Sequence, residues 1–393
     1  MSEENRPLGG EVLTKPFKVL AGIFGFALLL IAIRYVFGLG AVSNLSDGYP
    51  WGIWIAYDVV AGTAIACGGY AMALMVYVMN KGQYHVLVRP ALLASVFGYT
   101  LAGASIFVDI GRYWNAYNLF TPWYANPNSI MFEVAFCVSL YIFVLWIEFA
   151  PALLEGISKY RDNLPKFVQN WNVEGLRTTL NRFLFIFIAI GVLLPTMHQS
   201  SLGSLMLIAG KKLSPLWQTG FLPLLFLISA ITMGYAIVIF EAIYASVGFK
   251  RPIEMPILSK ISGVMPGLIG VYLVIRVIDL VVRGAIGAAF QFNLQSLMFW
   301  VENALYVAAL VYAAPATNRT KPKLLFLSAF YMLLAGTVYR FNAFLVGFNP
   351  GNNWSYFPSF SETVITLGMI SFEIMAYLYL VKMFPVLPKA EHA

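Results

Sequence analysis

Ten separate runs of about 20 apolar residues divide this 393-residue chain, and about 20 such residues are what an α-helix needs to cross the hydrocarbon core of a bilayer. By eye they fall at about 17–39, 52–79, 91–113, 130–154, 180–198, 217–247, 260–283, 295–315, 323–347 and 361–384. Backbone groups inside lipid must be paired within their own segment, so these runs are expected to fold as helices. The fold class is therefore an all-α integral membrane protein with ten transmembrane helices. Composition agrees, because 60% of residues are hydrophobic and only 11% charged, too few charges to cover a soluble domain of this size. The polar tail, Met1 to Pro16, lacks the basic–apolar–small pattern of a cleaved signal peptide, so the first run is expected to remain as a helix.

Orientation follows from the Lys and Arg residues near helix ends. One side carries eighteen: Arg6, Lys15, Lys18, Lys81, Arg89, Lys159, Arg161, Lys166, Arg177, Arg182, Lys250, Arg251, Lys260, Arg319, Lys321, Lys323, Lys382 and Lys389. The other side carries four (Arg112, Lys211, Lys212 and Arg283), while Arg34, Arg276 and Arg340 lie within helices. Both termini are expected in the cytoplasm of a bacterial inner membrane. The net charge of +7 then reflects this bias, and no nucleic-acid partner is expected. The chain divides into an N-tail (1–16), four spans (17–154), a cytoplasmic loop (155–179), six spans (180–384) and a C-tail (385–393).

The outer loops read SNLSDGYPW (43–51), NAYNLFTPWYANPNS (115–129), QSSLGS (199–204) and FNPGNNWSYFPS (348–359), and they are nearly free of Lys. An aromatic belt at the membrane interface accounts for them; so does a docking face for a partner. Ser129-Ile-Met-Phe opens the fourth span and Ser296-Leu-Met-Phe the eighth, with Glu133 and Glu302 close behind. A repeat four helices apart implies two parallel four-helix bundles, spans 2–5 and 6–9, flanked by spans 1 and 10.

Ionisable residues within spans are costly and usually face a bundle interior or a polar path. With this orientation, Asp58, Asp109, Arg112, Glu133 and His198 fall at similar depth near the outer side of four consecutive spans. That arrangement favours a polar pocket over isolated helix-end charges. Asp109 and Arg112, three apart, are expected to pair on one helix face. Tyr99 and Glu148 lie towards the cytoplasmic ends of their spans and, with Glu133, offer steps for protons. Glu241, Arg276, Asp279, Glu302 and Arg340 form a further set, with Glu373 in the last span. Neutralising ion pairs, including an Arg276–Asp279 pair, explain that set as well as a second proton path does.

Two cysteines and three histidines limit the cofactors. Cys67 and Cys137 are too isolated for an iron–sulfur cluster or a zinc site. His85 lies in a polar turn, His392 in the tail and His198 at a helix end, which leaves no facing pair for a haem. No haem, iron–sulfur cluster or metal is expected in this chain. A carboxylate, a histidine and an arginine around an apolar cavity suit a hydrophobic ligand with two polar ends. A quinone fits, because its reduction needs protons in step with electrons. The alternative is a secondary transporter, which commonly has helices broken at mid-membrane; no break stands out here, since Gly and Pro gather at span ends.

The segments PWGIWIAYDVVAGTAIACGG (50–69), GQYHVLVRPALLASVFGYTLAG (82–103), VDIGRYWN (108–115), EFAPAL (148–153), LLPTMHQSSLGSLM (193–206) and FNPG (348–351) strongly resemble the NrfD/polysulfide-reductase-like membrane subunits. They are most similar to the HybB-type quinone-reactive subunits of periplasmic nickel–iron hydrogenases. The resemblance covers nearly the whole chain. It implies a subunit without its own redox cofactor that meets menaquinone or ubiquinone near the outer face. It also implies a periplasmic ferredoxin-like iron–sulfur subunit as electron donor, with hydrogenase small and large subunits behind it. By position, Asp58, Asp109 and His198 match the quinone pocket, and Tyr99 and Glu133 become candidates for proton transfer. A membrane subunit of a different molybdenum or iron–sulfur oxidoreductase stays an alternative.

Overall fold

The computed structural model describes residues 7–159, 166–169, 171–351 and 353–387. Ten helices in it are long and apolar enough to cross a membrane: α1 (Lys15–Phe37), α2 (Trp54–Val78), α3 (Gly82–Asp109), α4 (Ile130–Lys159), α5 (Val173–Ile208), α6 (Leu222–Gly248), α7 (Met255–Val282), α8 (Leu294–Ala313), α9 (Pro322–Val346) and α10 (Phe360–Met383). Among the described residues there is no strand beyond one isolated bridge between Leu213 and Phe348. The all-helical architecture agrees with the reading of the ten apolar runs.

The helix ends follow ordinary capping chemistry. Ser359 and Glu362 form a reciprocal capping box at the start of α10, so two otherwise unpaired backbone donors are satisfied. The Asn172 and Asn293 side chains accept from Gly175 N and Ser296 N at the starts of α5 and α8. Leu8 N and Gly9 N donate to Val381 O and Lys382 O, so the described ends of the chain meet at one end of the bundle. That end is called the terminal end below, and the other the loop end.

α5 departs from expectation. QSSLGS (199–204), expected as an outer loop, is helical, and α5 continues to Ile208. Its hydroxyls return to the helix's own carbonyls: Ser200 Oγ and Ser201 Oγ donate to Met197 O at 2.9 and 2.8 Å, and Ser204 Oγ to Ser200 O at 3.3 Å. Polar residues thereby stay in a span without unmet hydrogen bonds. His198 consequently stands ten residues inside the helix, about 15 Å from its end, rather than at a helix terminus.

α2 is also less regular than its sequence suggests. It is π-helical over Trp54–Ala61 and again over Leu74–Val78, and its helical backbone is interrupted at Ala66–Cys67. The expectation of unbroken spans does not hold here. A Cβ on Gly234 would stand 2.4 Å from Cys67 O, and one on Gly98 would stand 2.5 Å from Ala66 Cβ. Glycines on α6 and α3 therefore let both helices press against the interrupted part of α2, the close approach that drives helix association in lipid.

α6 is largely buried and packs on α2, α5, α7 and α9. α10 packs along α1 and also touches α3 and the first part of α2. The loop-end connections differ in kind. The 43–51 and 348–359 loops interlock: Tyr49 Oη donates to Phe348 O at 3.1 Å, Trp51 Nε1 to Phe344 O at 3.0 Å, and Tyr49 stacks on Tyr356. The α3–α4 connection instead leaves Trp114, Tyr117, Phe120, Trp123 and Tyr124 exposed.

Candidate functional site

Two polar layers share α2 and α3. The first is near the loop end. Asp58, in the π-helical part of α2, is buried and accepts from Ser105 Oγ of α3 at 2.9 Å and from Thr366 Oγ1 of α10 at 3.4 Å. Asp109 follows Ser105 by one helical turn, is also buried, and leaves its Oδ1 with no hydrogen-bond partner. α3 ends at Asp109 because Ile110 turns extended. The freed carbonyls there are met by Arg34 of α1, whose Nε donates to Val108 O at 2.7 Å and whose Nη2 reaches Ile110 O. A cation at a helix C-terminus also complements the helix dipole, and Arg34 is the arginine whose charge acts on Asp109.

The expected Asp109–Arg112 pair does not form. The i, i+3 geometry requires the helix to continue, whereas it stops at Asp109, and Arg112 is exposed. At the same end, buried Glu362 accepts from Tyr356 Oη at 2.7 Å and from Asn44 N at 3.0 Å. Burial and the adjoining Glu362 carboxylate hold the Tyr356 hydroxyl above the usual tyrosine range, so it acts there as a donor.

The second layer lies one to two turns deeper. Thr63 of α2 donates its hydroxyl proton to Val59 O at 2.5 Å. Its oxygen must therefore accept from His198 Nε2 at 3.2 Å and from Gln199 Nε2 at 3.0 Å. That assigns the imidazole proton to Nε2 and leaves Nδ1 as a lone-pair nitrogen, buried and without a partner. Gln199 Nε2 also lies 3.5 Å from Tyr99 Oη, and its Oε1 accepts from Arg340 Nη2 at 3.1 Å. Arg340 also donates to Ser229 Oγ at 3.1 Å and Phe226 O at 3.2 Å, while its Nε is buried without a partner. Tyr99 packs edge-on against Tyr141, with centroids 4.6 Å apart. It sits mid-helix rather than towards the cytoplasmic end, and it shares a layer with His198.

The five residues expected in one pocket are thus distributed. Asp58 and Asp109 line one wall, His198 belongs to the deeper layer, and Arg112 is exposed. Glu133 opens α4, half-buried. Glu148 lies over Gly191 of α5, with its Oε1 unpartnered. Sequence alone did not mark Thr63, Thr366 or Gln199, and it marked Ser105 only as a small residue rather than as a donor to Asp58. Gln199 adjoins His198, and Ser105 lies one turn before Asp109, so helical spacing was an available signal; nothing local marked Thr366.

The set around Glu302 is of another kind. Glu302 accepts from Trp217 Nε1 and Asn342 Nδ2, both at 2.8 Å, from Arg276 Nη2 at 3.2 Å and from Tyr272 Oη at 3.3 Å. Arg276 therefore pairs with Glu302, and Asp279 with Arg283 at 2.7 Å; the Arg276–Asp279 pair is not present. Glu241 and Glu373 stand apart from this set, Glu241 beside Tyr377 of α10 and Glu373 on α10 itself.

Residues 41–349 match the family model described as polysulphide reductase, NrfD. The chain belongs to the NrfD family. Among its relatives is the probable Ni/Fe-hydrogenase 2 b-type cytochrome subunit of Escherichia coli (strain K12), 44% identical over 99% of this chain and 96% of that protein. The integral membrane subunit of menaquinone reductase from Nitratidesulfovibrio vulgaris is 24% identical over 93% of this chain and 90% of its own. The Hdr-like menaquinol oxidoreductase integral membrane subunit of Archaeoglobus fulgidus is 22% identical over 94% and 93%. This chain is accordingly a membrane subunit of the hydrogenase and quinone-oxidoreductase type.

The name of the first relative raises a b-type haem, and among the described residues no second histidine faces His198 for bis-histidine ligation. Bis-histidine ligation needs two imidazoles at one depth on facing helices. His198 is the single described histidine within the deeper part of a span, and its Nε2 is engaged by Thr63. His85 is exposed in a helical turn before the main body of α3, and His392 lies outside the described residues. No group of three or more His, Cys, Asp or Glu placed to hold a metal ion occurs among the described residues.

Proposed function

We propose that this chain is the quinone-reactive membrane subunit of a respiratory nickel–iron hydrogenase, binding menaquinone or ubiquinone at the loop-end wall formed by Asp58 and Asp109. The loop end faces the periplasm, as the Lys and Arg distribution favours, and both termini are cytoplasmic. Electrons arrive from a ferredoxin-like iron–sulfur subunit served by hydrogenase small and large subunits. The exposed aromatic segment from Trp114 to Tyr124 supplies its docking face. Helices α2–α5 and α6–α9 act as two bundles.

The observation that carries the reading is Asp109 Oδ1, a buried carboxyl oxygen with no partner one turn from the Asp58–Ser105 contact. Leaving such an atom unmet costs about 1–3 kcal/mol, which an exchangeable polar ligand relieves. Reduction of a quinone consumes two electrons and two protons. Asp58 and Asp109 present carboxyl groups to its oxygens, and Arg34 orients Asp109 by holding the end of α3. His198, with a free Nδ1 lone pair, accepts and returns a proton in the deeper layer beside Tyr99. Glu133 and Glu148 remain candidate proton carriers on α4.

The test is a ratio of two activities in the purified complex. Asp109→Asn and His198→Ala are expected to lower hydrogen-dependent quinone reduction at least ten-fold while hydrogen oxidation by a soluble dye is kept. A parallel fall in both activities assigns these residues to structure instead. A secondary transporter is the competing reading, and the interrupted α2 is the observation on its side. Solute uptake by the chain in liposomes, without co-purifying iron–sulfur subunits, would favour it.

A further inference from the structure

α10 lies beyond the residues matched by the family model, and its sequence position marks it as a flanking helix. Its buried face carries chemistry nonetheless. Glu362, Thr366, Glu373 and Tyr377 follow one another at offsets of four, seven and four residues, which places them within one narrow stripe over roughly 22 Å of helix. Glu362 and Thr366 belong to the loop-end layer, where Thr366 reaches Asp58. Glu373 lies further in, with its Oε1 against the bare backbone of Gly98 on α3. It lies two turns from Thr366, which reaches Asp58, and one turn from Tyr377, which stands beside Glu241 of α6.

The stripe ends in a cavity at the terminal end. The cavity has a volume of about 50 Å³ and is lined by Pro90 and Ala91 of α3, Val238 and Glu241 of α6, Tyr377 of α10 and Leu387 of the C-terminal segment. That is room for about three waters. Glu241 and the Tyr377 hydroxyl interact with each other here, and neither Glu241 Oε1 nor that hydroxyl makes a hydrogen bond of ordinary geometry. Arg251 and Glu254 also line it. Polar walls, unmet acceptors and sufficient space are the conditions under which internal water is held.

We propose that the seam between α10 and helices α2, α3 and α6 conducts protons from this terminal-end cavity, through Glu241, Glu373 and Asp58, to the loop-end layer. Water in the cavity protonates Glu241. Glu373 takes the proton through bridging water and passes it to Asp58, and each carboxylate is restored by the next proton from the cavity. No electron moves along the seam; the two electrons reach the quinone from the partner iron–sulfur subunit. Only the final acceptor rests on the quinone reading above.

The experiment uses the intact complex in membranes and in proteoliposomes carrying a pH dye on the terminal-end side. Glu373→Gln and Glu241→Gln are expected to lower quinone reduction, and proton uptake from that side, at least ten-fold with dye-linked hydrogen oxidation unchanged. Glu373→Asp, which keeps a carboxyl, should recover much of the rate. Tyr379→Phe, on an exposed position of α10, should behave as the unaltered protein. Full rate and full uptake in Glu373→Gln would overturn the seam. If the unaltered complex reduces no quinone, the quinone reading fails, and the seam is judged by difference infrared spectroscopy. Deuterium exchange at the Glu373 carboxyl should then slow at least ten-fold in Glu241→Gln; an unchanged exchange rate would remove the seam.

Discussion

Two carboxylate sites in this bundle are both buried but chemically opposite. Glu302 has both oxygens filled by four donors, and its charge is neutralised by Arg276, whose guanidinium also lies over the rings of Phe299 and Tyr339. Asp58 and Asp109 receive hydroxyl donors on one oxygen or none, and neither makes an ion pair among the described residues. A saturated, neutral carboxylate holds helices together and has no capacity to spare. An unsaturated one is costly unless a ligand, water or proton visits it. The contrast supports the proposed division, with a structural ion pair at Glu302 and chemistry at the α2–α3–α10 wall.

The largest effect should come from breaking the closed site. Glu302→Gln leaves Arg276 buried without its counter-charge, and losing one partner of a buried pair costs about 3–5 kcal/mol. The expected result is loss of folded protein in detergent thermal-shift measurements, with quinone and dye activities falling together through lost assembly. A variant as stable as the parent would erase the distinction. Asp58→Asn comes next: removing a carboxyl that handles protons is worth about 10²–10⁴ in rate. Its quinone reduction should fall by about that factor while the unfolding temperature stays near the parent's. Thr366→Val removes only the 3.4 Å donor to Asp58, worth about 1 kcal/mol, and should lower the quinone rate several-fold in steady-state assays. Arg112→Ala should be the smallest, within about 0.5 kcal/mol in stability and without effect on turnover, because Arg112 is exposed and unpaired with Asp109. A large loss there would restore the pair expected from sequence spacing.

The contrast also marks what spacing can convey. All ten spans were legible, because twenty apolar residues are a local signal, and Asp58 and Asp109 stood out as charges in apolar surroundings. Their partners were not legible. Arg34 reaches the end of α3 from 74 residues away, and Thr366 reaches Asp58 from 308 away. Such contacts are set by which helices pack, and no periodicity encodes that. The i, i+3 rule gave false pairs at both Arg112 and Arg276, for different reasons. At Arg112 the helix had already ended. At Arg276 the helix continues, but Glu302 on a neighbouring helix is reached instead. QSSLGS misled because hydroxyls normally signal a loop, whereas here they bond back to their own helix.

Photo-crosslinking with an azido-quinone, followed by peptide mapping of the purified complex, tests the assignment of chemistry to the α2–α3–α10 wall most directly. Label is expected on the loop-end halves of α2 and α3, around Asp58 and Ser105, and on α10 near Thr366, with competition by unmodified quinone and loss of label in Asp109→Asn. Competable label confined to α7 and α8 around Arg276 and Glu302 would contradict the account.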